Sequence, residues 1–276
     1  MIDVDRIDPN LIDPSLDGAA LFLDIDGTLL DIAPRPDAVA VPASLRADLG
    51  RVRAALGGAL ALVSGRAVGE IDRLFAPLVL PASGVHGAEF RPDPHGAAER
   101  LAPRIPDEVR AGVQAVVARH PGALFEDKGV AVAAHWRLAP EAGTAIEGAV
   151  RDLLRAAPSE LAALRGHCVL EIKASALDKG RAVDRFMRAA PFAGRRPVFI
   201  GDDVTDEAAF AAARRRGGLA YSVGRPMEGA MDWFASAADV RRWIGRLASR
   251  PALAEPASAQ FAAAQPASAK SASVLA

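Results

Sequence analysis

Leu21-Phe22-Leu23-Asp24-Ile25-Asp26-Gly27-Thr28-Leu29-Leu30 is the stretch that decides the fold. Leu21, Phe22 and Leu23 show no polar alternation, so they read as a strand buried on both faces, the kind found in parallel sheets. Gly27 then breaks the strand. Asp24 and Asp26 fall at its carboxyl end, where open α/β sheets bind their ligands. Carboxylates this close repel unless a cation or a proton is shared. A solvated turn with two Asp residues is the plain alternative, because short motifs also match by chance.

Two more apolar runs end in polar residues. Residues 59–66, Ala-Leu-Ala-Leu-Val-Ser-Gly-Arg, deliver Ser64, Gly65 and Arg66; Ser-Gly at a strand end is more often only a turn. Residues 197–207, Pro-Val-Phe-Ile-Gly-Asp-Asp-Val-Thr-Asp-Glu, deliver Asp202, Asp203 and Asp206. That is too much like charge for one turn without a counter-ion. Mg²⁺, a hard cation taking carboxylate, phosphate and water oxygens, is the natural answer. An acidic helix start accounts for Asp206 and Glu207 but not for Asp202, which directly ends the strand. Lys179 lies before the third run in Leu-Asp-Lys-Gly-Arg-Ala. Alone it reads as a surface Lys.

The pattern Asp-x-Asp-Gly-Thr-Leu resembles the first signature of the haloacid-dehalogenase-like phosphatases. Ser64, Lys179 and the paired Asp residues follow in that family's order. The resemblance implies Asp24 as nucleophile and Asp26 as acid and base. Ser64 would hold the transferring phosphoryl group, with Gly65 and Arg66 beside it, and Lys179 would neutralise charge. Asp24, Asp26 and Asp202 would surround Mg²⁺, supported by Asp203 or Asp206. The residue types suit these roles. A carboxylate can form an acyl phosphate, and a second carboxyl can carry the proton.

Between these motifs lies a span without any of them. Apolar spacing predicts a helix over 106–119 and another over 141–156, with strands over 129–137 and 168–173. The expected fold is α/β: a doubly wound parallel-sheet core with an inserted small α/β cap. Its expected boundaries are an N-terminal extension at 1–18, a core at 19–104 and 174–250, and a cap at 105–173. A disordered tail rich in Ala, Ser and Pro follows at 251–276.

The stretches Ser83-Gly-Val-His-Gly-Ala-Glu-Phe90, Phe125-Glu-Asp-Lys-Gly-Val-Ala-Val-Ala-Ala-His-Trp-Arg137, Val169-Leu-Glu-Ile-Lys173 and Gly201-Asp-Asp-Val-Thr-Asp-Glu207 resemble the trehalose-6-phosphate phosphatases. The resemblance covers about residues 19 to 245. It implies Mg²⁺-dependent hydrolysis of trehalose 6-phosphate through an aspartyl-phosphate. Glu126, Lys128 and Glu171 would grip sugar hydroxyls, with His86 and Arg137 as further substrate contacts. Where the family commonly has a basic or proline-containing stretch before Asp-Lys-Gly, this chain has Ala174-Ser175-Ala176. A salt-bridged, solvated sheet face is the competing account of the cap charges. Competing functions are a phosphatase of another sugar phosphate, such as sucrose 6-phosphate or a hexose phosphate, and a phospho-accepting receiver-like signalling domain. The Asp-x-Asp spacing, the inserted cap and the length weigh against a receiver.

Bulk properties agree. At 276 residues the chain can form two domains. A formal charge of −1 and 5% aromatic residues leave no basic or stacking footprint for nucleic acid. No apolar run is long enough to span a membrane, and the acidic start lacks a signal-peptide core. The single cysteine, Cys168, excludes an intrachain disulfide and fits a cytoplasmic location. Cys168 is expected in a strand as inert core. The expected partner is a small sugar phosphate, with no nucleic acid or membrane; the sequence names no protein partner.

Overall fold

The apolar run forms β1 (Ala19–Leu23), buried along its whole length. In the computed structural model, which describes residues 16–32, 39–157, 160–166 and 168–250, β1 lies inside an eight-stranded sheet. On one side it pairs in parallel with β2 (Leu60–Val63), and β2 pairs with β3 (Ala82–Gly84). On the other side it pairs in parallel with β10 (Arg196–Gly201), followed by β11 (Leu219–Val223) and β12 (Asp232–Phe234). The chain steps outward from β1 in one direction and later returns to the opposite side. Strand order therefore reverses between β1 and β10, which opens a crevice at their carboxyl ends. Antiparallel β4 (Glu89–Arg91) and β5 (Glu99–Arg100) extend the β3 edge.

Helices α1 (Ala43–Ala55) and α7 (Ala237–Ala248) pack on each other, as do α5 (Lys179–Phe186) and α6 (Glu207–Arg215). Helix α5 is anchored by aromatics. The Phe186 ring lies 5.7 Å from Phe22 of β1 and 4.9 Å from Phe192. This packing fixes the helix whose first residue is Lys179. Helix α2 (Val68–Phe75) begins three residues after Gly65 and is capped by Glu89, which accepts from the Val68 N–H at 2.8 Å.

Between β5 and α5 the chain inserts a second α/β layer. It comprises α3 (Asp107–Val117), β6 (Leu124–Asp127), β7 (Ala131–His135), α4 (Gly143–Arg155), β8 (Leu161–Gly166) and β9 (Val169–Ala174). The strands form an antiparallel sheet in the order β6-β7-β9-β8. Strand period puts Phe125, Val132, Ala134, Leu170 and Ile172 in one apolar cluster with Val109, Val113 and Ile146 of the helices. The opposite face carries Glu126, Ala133 and Glu171 in one cross-strand row.

Both expected helices and the strands at β7 and β9 are present, but β6 and β8 had not been expected. Cys168 is corrected as well. It sits in the turn between β8 and β9 at φ 58°, half-buried, and faces the cleft. The expected tail at 251–276 and most of the N-terminal extension lie outside the described residues. Leu16, within that extension, is buried in the core. Among the described residues no helix is long and apolar enough to cross a membrane.

Candidate active site

The carboxyl ends of β1 and β10 bring together Asp24, Asp202 and Asp206, whose nearest oxygens all lie within 4.8 Å of one another. Gly27 makes the approach possible: at φ 84°, a Cβ there would stand 2.0 Å from Asp202 Oδ2. Thr28 Oγ1 donates to Asp202 Oδ1 at 3.1 Å. Lys179 Nζ reaches across from α5 and donates to Asp24 at 2.8 Å and to Asp206 at 2.7 Å. Asp206 also accepts from the backbone N–H groups of Asp202 and Asp203, each at 3.0 Å.

The charges do not balance. Burial pushes the Asp24 carboxyl well up, against the pull of Lys179. Burial and the Asp206 charge push Asp202 up to about 6. Burial works against the Lys179 charge, yet Asp206 and Asp24 overcome it and hold the ammonium well above its usual range. One ammonium for two buried acids and a half-buried third is a charge balance that a hard cation with oxygen ligands would complete.

Asp26 was expected among the ligands; the side-chain cluster that could hold a cation brings Asp206 beside Asp24 and Asp202. Both Asp26 oxygens are taken by Arg66, from Nε and from Nη2, each at 2.7 Å. The choice left open between Asp203 and Asp206 resolves by position. Asp206 is fully buried beside Asp24, while Asp203 accepts from the Val204 N–H at 2.8 Å and lines the cleft. Ser64 is buried at the end of β2, and its Oγ accepts from the Arg66 N–H at 3.2 Å. Ser64 also lines the cleft.

The polar face of the second sheet closes the other wall. Lys128 Nζ donates to Glu171 at 2.7 Å and to the Gly65 carbonyl at 2.9 Å, so it ties the sheet to the loop after β2. Glu126 pairs with His135 at 2.8 Å and stands 3.8 Å from Lys128. His86 Nε2 lies 3.6 Å from Glu171. Burial alone would raise Glu171, but Lys128 and His86 hold it far below the usual carboxylate range. Burial pushes the His86 imidazole down.

These groups are not a solvated face: Glu171 is only 4% exposed. Glu171 Oε1 and His86 Nδ1 are both buried without a hydrogen-bond partner among the described residues. Buried orphans of this kind are costly, and both atoms are free to take a hydrogen-bonding partner. Arg137 also lines the cleft.

The cleft encloses about 450 Å³ and is walled by both layers. His135, Glu70, Ile32 and Leu138 line it as well, and the sequence reading had missed them. His135 was within reach, because Ala131, Ala133 and His135 share one strand face by period two.

The family model described as trehalose-phosphatase matches residues 22–231. A probable trehalose-phosphate phosphatase of Sinorhizobium fredii is 49% identical over 213 residues, covering 77% of this chain and 80% of the relative. A trehalose-6-phosphate phosphatase of Escherichia coli is 41% identical over 227 residues, covering 82% and 85%. Among solved structures, the C-terminal domain of C. albicans trehalose-6-phosphate phosphatase superposes with a TM-score of 0.75 at 19% identity, covering 88% of this chain and 97% of that one. That likeness speaks to the fold. An Aspergillus fumigatus trehalose-6-phosphate phosphatase superposes with a TM-score of 0.56 at 26% identity, covering 83% and 92%.

Proposed function

The chain belongs to the trehalose-phosphatase family, and from that premise we propose that it hydrolyses trehalose 6-phosphate to trehalose and phosphate, with Asp24 as the nucleophile. One observation carries the reading: a buried acid–lysine cluster and a sugar-sized polar wall with orphaned acceptors face each other across one cleft. The substrate supplies both halves, a phosphoryl group for the first and vicinal hydroxyls for the second.

In the first step an Asp24 oxygen forms a bond to phosphorus as the bond from phosphorus to the sugar oxygen breaks. Asp26 gives its proton to the leaving oxygen. In the second step water attacks the acyl phosphate, Asp26 takes the water proton, and phosphate leaves with Asp24 restored. Both Asp26 oxygens are held by Arg66, so proton exchange with substrate requires that fork to open. Ser64 and Lys179 hold the phosphoryl oxygens, and Lys179 also offsets the Asp24 charge. The donor set of Asp24, Asp202 and Asp206 suits Mg²⁺, which would supply charge neutralisation at the phosphoryl group. Residues 105–173 act as a cap: its Glu126, Lys128, Arg137 and Glu171, with His86 from the core, read the sugar and keep water out.

The test is phosphate release from trehalose 6-phosphate beside sucrose 6-phosphate, glucose 6-phosphate and a small aryl phosphate. A kcat/KM at least tenfold higher for trehalose 6-phosphate supports the proposal. Preference for a hexose phosphate would leave the phosphatase core standing and overturn the substrate. Stable phosphorylation without turnover would favour a receiver-like role.

A further inference from the structure

A second cavity, of about 480 Å³, lies on the outer side of α5. Its wall includes the small residues Gly87, Gly180, Ala182, Ala208 and Ala211. Its charged lining is Arg181, Arg185, Arg188 and Arg215 against Asp178 and Asp184. Four guanidiniums against two carboxylates make a basic hollow on a chain whose formal charge is −1.

The partners matter more than the count. Asp184 is taken by Arg215 and Arg216, at 3.3 and 2.8 Å. Arg185 pairs with Glu99 at 2.6 Å and lies over the Phe90 ring at 4.8 Å. Asp178 spends one oxygen on the Arg181 N–H as the cap of α5. The guanidiniums of Arg181 and Arg188 have no ion pair among the described residues. Two planar forks without an ion pair, Arg181 in the first turn of α5 and Arg188 in the turn just after its end, share a single concavity.

We propose that this hollow is a second anion site, which binds a small molecule carrying a phosphoryl group or a pair of them. Guanidinium forks match phosphate oxygens two at a time, which favours phosphate over a simple halide. The size is that of a small-molecule site. The lack of stacking aromatics other than the covered Phe90 does not suit a nucleic-acid strand. The site shares no lining residue with the catalytic cleft, and binding there does not depend on the reaction proposed above.

The experiment is calorimetric titration with inorganic pyrophosphate in EDTA, paired with hydrogen–deuterium exchange. The expected result is saturable binding with protection of 178–188 and 208–215, retained in Ser64→Ala. Arg181→Gln with Arg188→Gln should weaken this binding at least tenfold while the thermal midpoint and aryl phosphate turnover stay at wild-type values. Binding unchanged in the double variant, or protection confined to 24–28, 64–66 and 201–206, overturns the proposal. If Arg181→Gln or Arg188→Gln alone gives the same loss as the pair, the two-fork site is wrong as well.

Discussion

Replacing Lys179 with Met keeps the length of the side chain and removes its charge. The side chains of Lys179, Asp24 and Asp206 are 3%, 6% and 0% exposed, so water cannot re-screen what is left behind. Two contacts vanish, at 2.8 and 2.7 Å, and both carboxylates lose their cation. Removing one partner of a buried ion pair costs about 3–5 kcal/mol, a large share of the about 5–15 kcal/mol that holds a domain folded. Asp206 keeps its two backbone N–H donors, so most of the penalty falls on Asp24. Adding Asp206→Asn removes one stranded charge and should return about 1–3 kcal/mol, so the double variant should be less destabilised than the sum of the singles. Urea unfolding of the wild type, both singles and the double, all in EDTA, measures the cycle. A loss below about 1 kcal/mol for Lys179→Met, or strict additivity, would show that the cluster is neither dry nor coupled as described.

Asp24→Asn should abolish turnover and leave circular dichroism unchanged, since an amide cannot form the acyl phosphate; activity within a few-fold of wild type contradicts its role. EDTA should stop turnover and Mg²⁺ restore it, with Asp202→Asn needing more Mg²⁺; full activity in metal-free buffer rules out the cation site. Asp26→Asn should cost about 10²–10⁴-fold on trehalose 6-phosphate but less on phosphoenzyme formation from an aryl phosphate with a good leaving group; equal losses refute the proton donor. His86, its folded pKa below the ordinary value of about 6.5, binds fewer protons folded than unfolded, so stability should rise with pH through that window and fall on acidification. His86→Asn should flatten that slope by up to about 1.4 kcal/mol per pH unit, read from urea midpoints between pH 5 and 7, and an unchanged slope would place the ring in water.

The parallel core was legible because its strands are uninterrupted apolar runs that end in acids or Ser-Gly. Leu21 to Leu23 admits no other assignment once Asp24 and Gly27 follow. Strands β6 and β8 were not legible because both lie at sheet edges, half-exposed, with no apolar alternation to betray them. Cys168 was misread for a related reason: Val-Leu-Glu-Ile beyond it signals a strand, but the turn before that strand leaves no apolar mark. Among site residues, the acids at strand ends could be read one by one. The pairing of Asp26 with Arg66 and of Asp206 with Lys179 could not, because it depends on partners brought in from the loop after β2 and from α5. The motif Ser83 to Phe90 carries more structure than its likeness reveals. Ser83 Oγ donates to the Glu89 carbonyl at 2.9 Å, Glu89 caps α2, and Val85 and His86 are held at φ 48° and 50°. Positive φ at a β-branched residue is strained, and here it aims His86 at the cleft.

In the function proposed above, sugar reading and phosphoryl chemistry are joined at Gly65. A Cβ at that position would stand 2.6 Å from His86 Nε2, so a side chain there would drive His86 away from the loop after β2. His86 in turn faces Glu171 at 3.6 Å, Glu171 holds Lys128 at 2.7 Å, and Lys128 returns to the Gly65 carbonyl at 2.9 Å. The ring of contacts closes on the residue next to Ser64. A sugar hydroxyl that donates to the orphaned Glu171 Oε1 therefore acts on the ring that sets the position of the Ser64 loop. Contacts to a remote, unreacting part of a substrate raise kcat only when their energy is used to align the reacting part. Here one lysine and one backbone carbonyl supply that connection. A substrate lacking the sugar should thus lose turnover as well as affinity, even though every group that touches phosphorus stays in place.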